Sequence, residues 1–228
     1  MTEGSFEIRI SAAVTARRML FVALALTAAH VMAMLVWYQD LLPIDDWLYI
    51  SFFDLDEEES LGTWYSSLIL LFAGLLSLLQ ARLSAAKKRS WVFCWYALGY
   101  GFMLLSLDEV AGFHEFVNTV VEDTHWTTFG LVLVGIVGLF FLPFLAALPP
   151  GTRWLFLVAG LIFVGGAVGV ERATISYETN DQLDTLGYNL TTALEEFMEM
   201  SGVILYIYAL LARIVQERAG QPLTLKLN

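Results

Sequence analysis

The chain has 228 residues, of which 58% are hydrophobic and 15% are charged, and its formal net charge is -11. Soluble domains carry about a quarter charged residues, so this composition is typical of a protein embedded in a membrane. The acidic balance excludes a nucleic-acid-binding face, and the single cysteine, Cys94, excludes an internal disulfide or a paired-cysteine metal site.

Six apolar segments are each long enough to cross a hydrocarbon core of about 30 Å as a helix. They run over residues 18–38, 63–83, 91–112, 128–148, 153–170 and 191–213. The sequence therefore predicts an all-α bundle of six transmembrane helices over 18–213, with a short segment over 1–17 before it and a tail over 214–228 after it. The first apolar run is longer than the 7–15 residues of a signal-peptide core, so we expect it to be retained as a span.

The charged residues are divided between the two sides of this arrangement. With six spans, eleven of the 12 lysines and arginines flank one side, and only Arg172 lies on the other. Because basic residues are retained in the cytoplasm, both termini are predicted to be cytoplasmic. Of the 23 acidic residues, only Glu3, Glu7 and Glu217 fall on that side. Most of the outer acids are explained as a solvated loop surface.

Five carboxylates lie inside apolar helices or one turn from their ends, where solvation in a loop does not account for them. They are Asp108 and Glu109 in the third span and Glu195, Glu196 and Glu199 in the sixth. An ionisable residue within a span indicates a functional site that faces the bundle interior or a wet cavity. These residues are therefore the first candidates for the chemistry of the protein.

Helical spacing arranges these acids as two stripes. In SLDEVAGFHEF, residues 106–116, Asp108 and Glu115 are seven apart and share a face, while Glu109 and His114 lie on its flanks. In LEEFMEM the three glutamates share one stripe, which Gly202 continues inward. Because the third span runs outward and the sixth inward, both stripes lie at the outer level. We predict that they form one site that binds a cation or shares protons.

A divalent metal ion of unknown identity is one cation for this site. Its candidate ligands are Asp108, Glu109, His114, Glu115, Glu195, Glu196 and Glu199, with His30, Asp54, Asp56 and Glu171 as possible additions. Oxygen ligands suit Ca²⁺, Mg²⁺ or Mn²⁺, whereas a mixture with imidazole suits zinc or iron. The chain has no Walker loop and no lysine inside a span, and only one histidine lies deep in a span, so no nucleotide, retinal or haem is expected.

Three other positions in the spans have open interpretations. His30 lies near the middle of the first span and is either bonded to a neighbouring helix or water, or a metal ligand or proton relay. Gly165 and Gly169 are four apart in the fifth span and predict a small-residue packing face. At the outer end of that span, Glu171 and Arg172 either join the acidic site, with Arg172 as a counter-charge, or form an interfacial ion pair.

Three short motifs give the chain a family resemblance. They are FDLDEEESLGTWYSS, SLDEVAGFHEF and LEEFMEM. It resembles a group of bacterial multi-span membrane proteins of uncharacterised function. That group has an acidic FDLD-type loop, a Thr-Trp-aromatic-Ser-Ser start to the next span, an SLDE…HE segment and a late Glu-Glu…Glu stripe. Gly62 stands where that group has a proline. The resemblance implies a place in the bacterial inner membrane and no particular activity.

Three functions remain compatible with these patterns. The first is a cation-binding or transport protein that uses the outward-facing acidic site. The second is an accessory subunit of a larger membrane complex, or a homo-oligomer, with its acidic face docked on a basic partner. The third is an intramembrane metal-dependent hydrolase of a lipid-like substrate. Ser106, Asp108 and His114 resemble the serine, aspartate and histidine of hydrolases related to alkaline ceramidases, but Glu195-x-x-x-Glu199 replaces the late HxxxH motif. The lipid bilayer is the expected partner in every case.

Overall fold

A computed structural model of the protein describes residues 6–43, 48–113, 116, 120, 125–217 and 223–227. The long helices are α1 (Ala12–Tyr38), α3 (Leu61–Ala86), α4 (Val92–Ala111), α5 (Trp126–Ala147) and α8 (Leu186–Glu217). A one-turn helix, α2 (Leu48–Ser51), precedes α3. A continuous helical rod over Pro150–Thr179 consists of α6 (Pro150–Val164), a π-helical segment (Gly165–Val170) and α7 (Glu171–Thr179).

Five of these helices are long and apolar enough to cross a membrane, which is consistent with a multi-pass membrane protein in contact with lipid. They are α1, α3, α5, the rod and α8. The sixth predicted span, α4, is not among them, because Asp108 and Glu109 in its last turn lower its mean hydropathy. Apolar side chains cover the outside of the bundle; on α5, Leu139 is 70% exposed. A face of this kind is stable only against lipid or another apolar surface.

The fold is all-α as predicted, and a short β-ribbon accompanies the helices. Strand β1 (Phe6–Ile10) pairs antiparallel with β2 (Leu223–Leu227), with Phe6 opposite Leu227 and Ile10 opposite Leu223. In both FEIRI and LTLKL apolar and polar residues alternate, which is the period of a β-strand. The register sets the apolar positions of the two strands opposite one another, so the described terminal segments lie side by side.

Helices α3 and α4 form an antiparallel pair in which small residues allow close contact. A Cβ atom at Gly74 of α3 would lie only 2.9 Å from the carbonyl oxygen of Gly99 in α4. Farther along the pair, the Ser67 hydroxyl donates to the Ser106 carbonyl at 2.9 Å, and the Ser106 hydroxyl donates to the Ser67 carbonyl at 2.8 Å. The serines of the TWYSS and SLDE motifs therefore join two helices.

Helix α8 packs along the rod, and glycine determines where the two approach most closely. A Cβ at Gly202 would lie 2.7 Å from the Phe163 nitrogen, and one at Gly166 would lie 2.8 Å from the Glu195 carbonyl oxygen. The prediction that Gly169 is part of the packing face is wrong, because a Cβ at Gly169 meets no atom within 4 Å among the described residues. The π-helical turn contains more residues than an α-turn, so the contacting face passes through Gly166 instead.

Substitution of Gly202 by alanine should weaken the contact between α8 and the rod. The added methyl group meets backbone atoms of α6 rather than a side chain that can turn aside. We expect a loss of about 1–3 kcal/mol in the free energy of unfolding. Thermal unfolding of Gly202→Ala beside Gly160→Ala measures it, because a Cβ at Gly160 meets nothing within 4 Å. Equal melting temperatures for the two variants would contradict this packing.

The two ends of the bundle differ in charge. We call the end formed by the last turn of α8 and the α3–α4 connection the basic end, and the opposite end the acidic end. At the basic end Glu217 accepts from Arg213 at 2.8 Å, forms an ion pair with Arg89 and accepts from Gln80 at 3.3 Å. The Arg213 guanidinium also lies 5.4 Å from the centre of the Trp95 ring. One carboxylate thus contacts α3, the α3–α4 connection and α8.

Candidate functional site: an acidic cavity

A cavity of about 440 Å³ opens at the acidic end of the bundle. It lies between α3, α4, α5, the rod and α8, and we call it the acidic cavity. Nine carboxyl groups line it: Asp56, Glu58, Asp108, Glu109, Glu171, Glu178, Glu195, Glu196 and Glu199. Among the described residues that line it there is neither lysine nor arginine. Like charges this close are stable only with bound protons, counter-cations or water between them.

The acids of α4 and α8 line the same cavity. Glu109 is close enough to act electrostatically on both Glu196 and Glu199, and Asp108 also acts on Glu199. Deeper in the bundle the two helices touch through Phe102 and Tyr206, whose ring centres are 4.6 Å apart. α4 and α8 are therefore neighbours, with a packed aromatic contact below the space between their carboxylates.

Glu171 supplies a third group of ligand atoms from the rod. Its Oε1 accepts from the Trp126 indole at 3.1 Å, and its Oε2 accepts from the Thr174 hydroxyl at 3.3 Å. The His125 Nε2 lies 3.6 Å from the same carboxylate. Glu171 follows the π segment directly, and the wide π-turn sets the direction in which Glu171 and Thr174 leave the rod. π-helical turns occur often at functional sites.

Glu195 is a buried carboxyl group at the cavity wall, with 8% of its surface exposed. Glu171 and Glu199 are among the negative groups close to it. Burial and neighbouring carboxyl groups both make a negative charge on a carboxyl group costly. A proton or a bound cation at this position therefore lowers the energy of the cavity.

The loop before α3 forms the outer rim of the acidic cavity. The Tyr188 hydroxyl of α8 donates to both oxygens of Asp56, at 3.1 and 3.0 Å. The Glu58 carboxyl lies against Gly112, whose positive φ of 55° ends α4. Ser60 caps α3 by accepting from the Thr63 nitrogen at 3.2 Å. Leu55 packs against Gly62, which accounts for glycine rather than proline at that position.

His30 is the buried anchor of this loop. Its Nδ1 accepts from the Leu55 nitrogen at 3.0 Å, so Nε2 carries the proton and donates to the Asn189 carbonyl at 2.9 Å. Asp54 is 3.4 Å from Nδ1, but in this neutral tautomer the contact is not an ion pair. Asp54 instead accepts from the Asp56 nitrogen at 3.0 Å. Of the two interpretations of His30, the structure has the histidine bonded to neighbouring segments.

The remaining predicted site residues have varied positions. His114 and Glu115 lie outside the described residues. α4 ends at Ala111, and Gly112 after it is left-handed. Arg172 is exposed and does not line the cavity, so it is not the internal counter-charge. Ser106 is committed to its bonds with Ser67. Within the described part of the chain, no three His, Cys, Asp or Glu side chains are grouped to hold a metal ion.

Several residues that line the cavity are not among those predicted from the sequence. They are Glu58, His125, Trp126, Glu178 and Tyr188. They lie near helix ends, where the sequence is typical of interfacial aromatics and solvated loop acids. A signal was available in the spacing of Glu171, Thr174 and Glu178, which recur every three or four residues on one face of α7.

Below the carboxylates the cavity wall becomes apolar. Leu70 of α3, Leu105 of α4, Leu133 and Val134 of α5, and Phe163 and Val164 of α6 line it there. Each lies farther from the acidic end than the carboxylates of its own or the adjoining helix. The acidic cavity is therefore amphipathic, with a carboxylate mouth and an apolar interior.

The match of the chain to a known family covers both acidic stripes, the π segment and the anchor His30. No curated protein and no solved structure matches the chain. The chain belongs to the family described as Domain of unknown function (DUF8692), which matches residues 19–214.

Proposed function

We propose that the protein is a membrane protein that binds a cation in the acidic cavity, in a binding or transport role. One observation carries the proposal: nine carboxyl groups from four segments line a single cavity, and no lysine or arginine is among its described lining residues. A cation bound in this cavity is attracted by several of these carboxyl groups at once.

Cation binding and proton release are coupled in this account. Burial of Glu195 among other carboxyl groups favours its protonated form when no cation is bound. A cation between α4, α7 and α8 favours the ionised forms of all the surrounding carboxyls, so it displaces that proton. A transport role requires that a proton and a cation occupy the site in turn.

We propose further that the cavity faces outward, with six spans and both termini in the cytoplasm. The pairing of β1 with β2 supports an even number of crossings, because the chain then enters α1 and leaves α8 at the same end. α4 completes the six: its 20 residues rise about 30 Å, and it packs along α3. The basic residues at that end support a cytoplasmic side and the bacterial inner membrane as the location.

Single-cysteine labelling tests whether α4 is a span. Ala86 precedes α4, and Gln182 follows the rod; three crossings separate them if α4 spans and two if it does not. We expect a membrane-impermeant maleimide to label Gln182→Cys in intact cells and Ala86→Cys only after permeabilisation. The native Cys94 is 4% exposed and serves as the unlabelled background. Labelling of both variants from one side would contradict six spans.

Thermal unfolding in the presence of cations tests the binding proposal. A ligand that binds only the folded protein at 100 times its Kd adds about 2.7 kcal/mol of stability. We expect at least one of Na⁺, K⁺, Mg²⁺, Ca²⁺, Mn²⁺ and tetramethylammonium to raise the melting temperature of the wild type. The shift should be lost in the double variant Glu195→Gln/Glu199→Gln, which removes two carboxylates and preserves size.

The matched control is Glu59→Gln. Glu59 is exposed, adjoins the rim residue Glu58 in sequence and does not line the cavity. It should keep the full cation-dependent shift. A shift that is equal in the control and the double variant would place binding elsewhere, and no shift with any cation would overturn the proposal.

A further inference from the structure

We propose that the cation is an organic ammonium ion with an apolar body, seated with its charge among the carboxylates and its body in the apolar interior. This inference rests on the proposed cation-binding function and specifies its ligand class. It is carried by the cavity as a whole, in which volume, apolar lining and carboxylate positions agree on one kind of molecule.

The volume of the cavity is much greater than an inorganic ion needs. A metal site encloses its ion with ligands at about 2.0–2.6 Å, and within the described residues no such grouping exists. A cavity of about 440 Å³ falls in the range of pockets that hold small organic molecules, roughly 300–1,000 Å³. The described carboxylates are spread around a space rather than converging on a point.

The apolar interior distinguishes an amphiphilic cation from a fully polar one. Leu105 lies about one turn inward of Asp108 and Glu109, and Leu133 and Val134 continue the apolar wall from α5. A polyvalent, fully hydrated cation would gain nothing from this surface. An apolar group placed there gains about 25 cal/mol for each Å² removed from water.

Aromatic side chains at the mouth suit an ammonium group. Trp126 and Tyr188 line the cavity together with Glu195 and Glu171. The indole nitrogen of Trp126 is engaged by Glu171, and the Tyr188 hydroxyl by Asp56. These bonds fix both rings beside the carboxylates, where ring faces and anions together attract an organic cation.

A layer of packed aromatic rings lies deeper in the bundle than the residues that line the cavity. Tyr206 contacts Phe102 at 4.6 Å and Phe156 at 4.7 Å between ring centres. The Tyr206 hydroxyl is satisfied by Ser77 at 2.7 Å. Trp95 continues the cluster, 6.0 Å from the Phe156 ring. The cation therefore binds from the acidic end and does not extend through this packed layer.

Isothermal titration of the purified full chain in neutral maltoside micelles tests the inference. The probes are tetramethylammonium, which has a charge and little apolar body, and benzyltrimethylammonium, which adds a benzyl group. Burial of the benzyl group should give at least about a tenfold lower Kd, since a tenfold change needs only about 1.4 kcal/mol. Glu195→Gln/Glu199→Gln should weaken both probes.

Filling the interior tests where the apolar body lies. Ala167 lines the cavity on the π segment, and Ala167→Leu reduces the interior while keeping every carboxylate. We expect it to remove the preference for benzyltrimethylammonium and leave tetramethylammonium binding within about twofold. Ala25→Leu is the matched control, because Ala25 is exposed on the outside of α1. If Ala167→Leu does not fold, Val134→Phe on the opposite wall repeats the test.

The outcomes separate this inference from the proposed function. An inorganic cation that stabilises the wild type while neither ammonium probe binds overturns the inference and leaves the cation-binding proposal standing. Equal Kd values for the two probes, or a preference that survives both Ala167→Leu and Val134→Phe, also overturn the inference. If no cation of any kind binds, both proposals fail.

Discussion

Replacement of His30 by leucine should lower the free energy of unfolding by about 2–4 kcal/mol. The side chain is fully buried, accepts from the Leu55 nitrogen and donates to the Asn189 carbonyl. Leucine keeps the approximate volume but leaves the Leu55 N–H without its acceptor, and an unsatisfied buried donor costs about 1–3 kcal/mol. The loss also releases the loop that positions Asp56 at the cavity rim.

Thermal unfolding measures the loss of stability, and hydrogen exchange at the Leu55 amide measures the release of the loop. Met32→Leu is the control, because Met32 is on the same helix and 58% exposed. It should leave both the melting temperature and the exchange rate unchanged. Slow exchange at Leu55 in His30→Leu, together with a wild-type melting temperature, would mean that the histidine does not anchor the loop.

Replacement of Glu217 by leucine should lower the free energy of unfolding by about 3–5 kcal/mol. The substitution leaves the largely buried Arg213 guanidinium without its ion-pair partner. Arg213 and Glu217 have side-chain exposures of only 12% and 13%. Glu217 is also the partner of Arg89 and Gln80. Its removal therefore loosens α3, α4 and α8 at the basic end while the acidic cavity keeps all its residues.

The double variant Arg213→Met/Glu217→Leu distinguishes a lost ion pair from a general packing defect. Replacing both members of a buried pair by apolar residues is often neutral or stabilising. We expect thermal unfolding of the double variant to recover most of the stability lost in Glu217→Leu. If the double variant is as unstable as the single one, or worse, the cost does not come from an unpaired charge.

Much of the fold follows from the sequence because long apolar segments have few alternatives in a membrane. All six predicted segments are helical, and five of them are long and apolar enough to cross a membrane. The helix ends differ from the predicted ones; α8 extends from Leu186 to Glu217 instead of 191–213. The strands at the two ends have alternating apolar residues, but so short a pattern is easily mistaken for a tail. The π segment leaves no periodic signal, so the switch from Gly169 to Gly166 at the helix contact was not predictable.

Site residues could be predicted from the sequence where helical spacing determines the direction of their side chains. They could not be predicted where a loop or a helix end determines it. Asp108, Glu109, Glu195, Glu196 and Glu199 stand out as charges in apolar helices, and all five line the cavity. Glu171 appeared equally suited to an interfacial ion pair, because its direction depends on the π turn before it. His30 attracted attention as a possible ligand, yet its two nitrogen contacts are with backbone atoms distant in sequence.

Carboxyl footprinting by mass spectrometry shows where the cation binds. Wild-type protein is treated with a carbodiimide and an amine, with and without each cation that raises its melting temperature. We expect a cation to slow modification at Glu195, Glu199 and Glu109 and to leave modification at Glu59 unchanged. Equal modification of the cavity carboxyls with and without every cation would mean that the acidic cavity does not bind it.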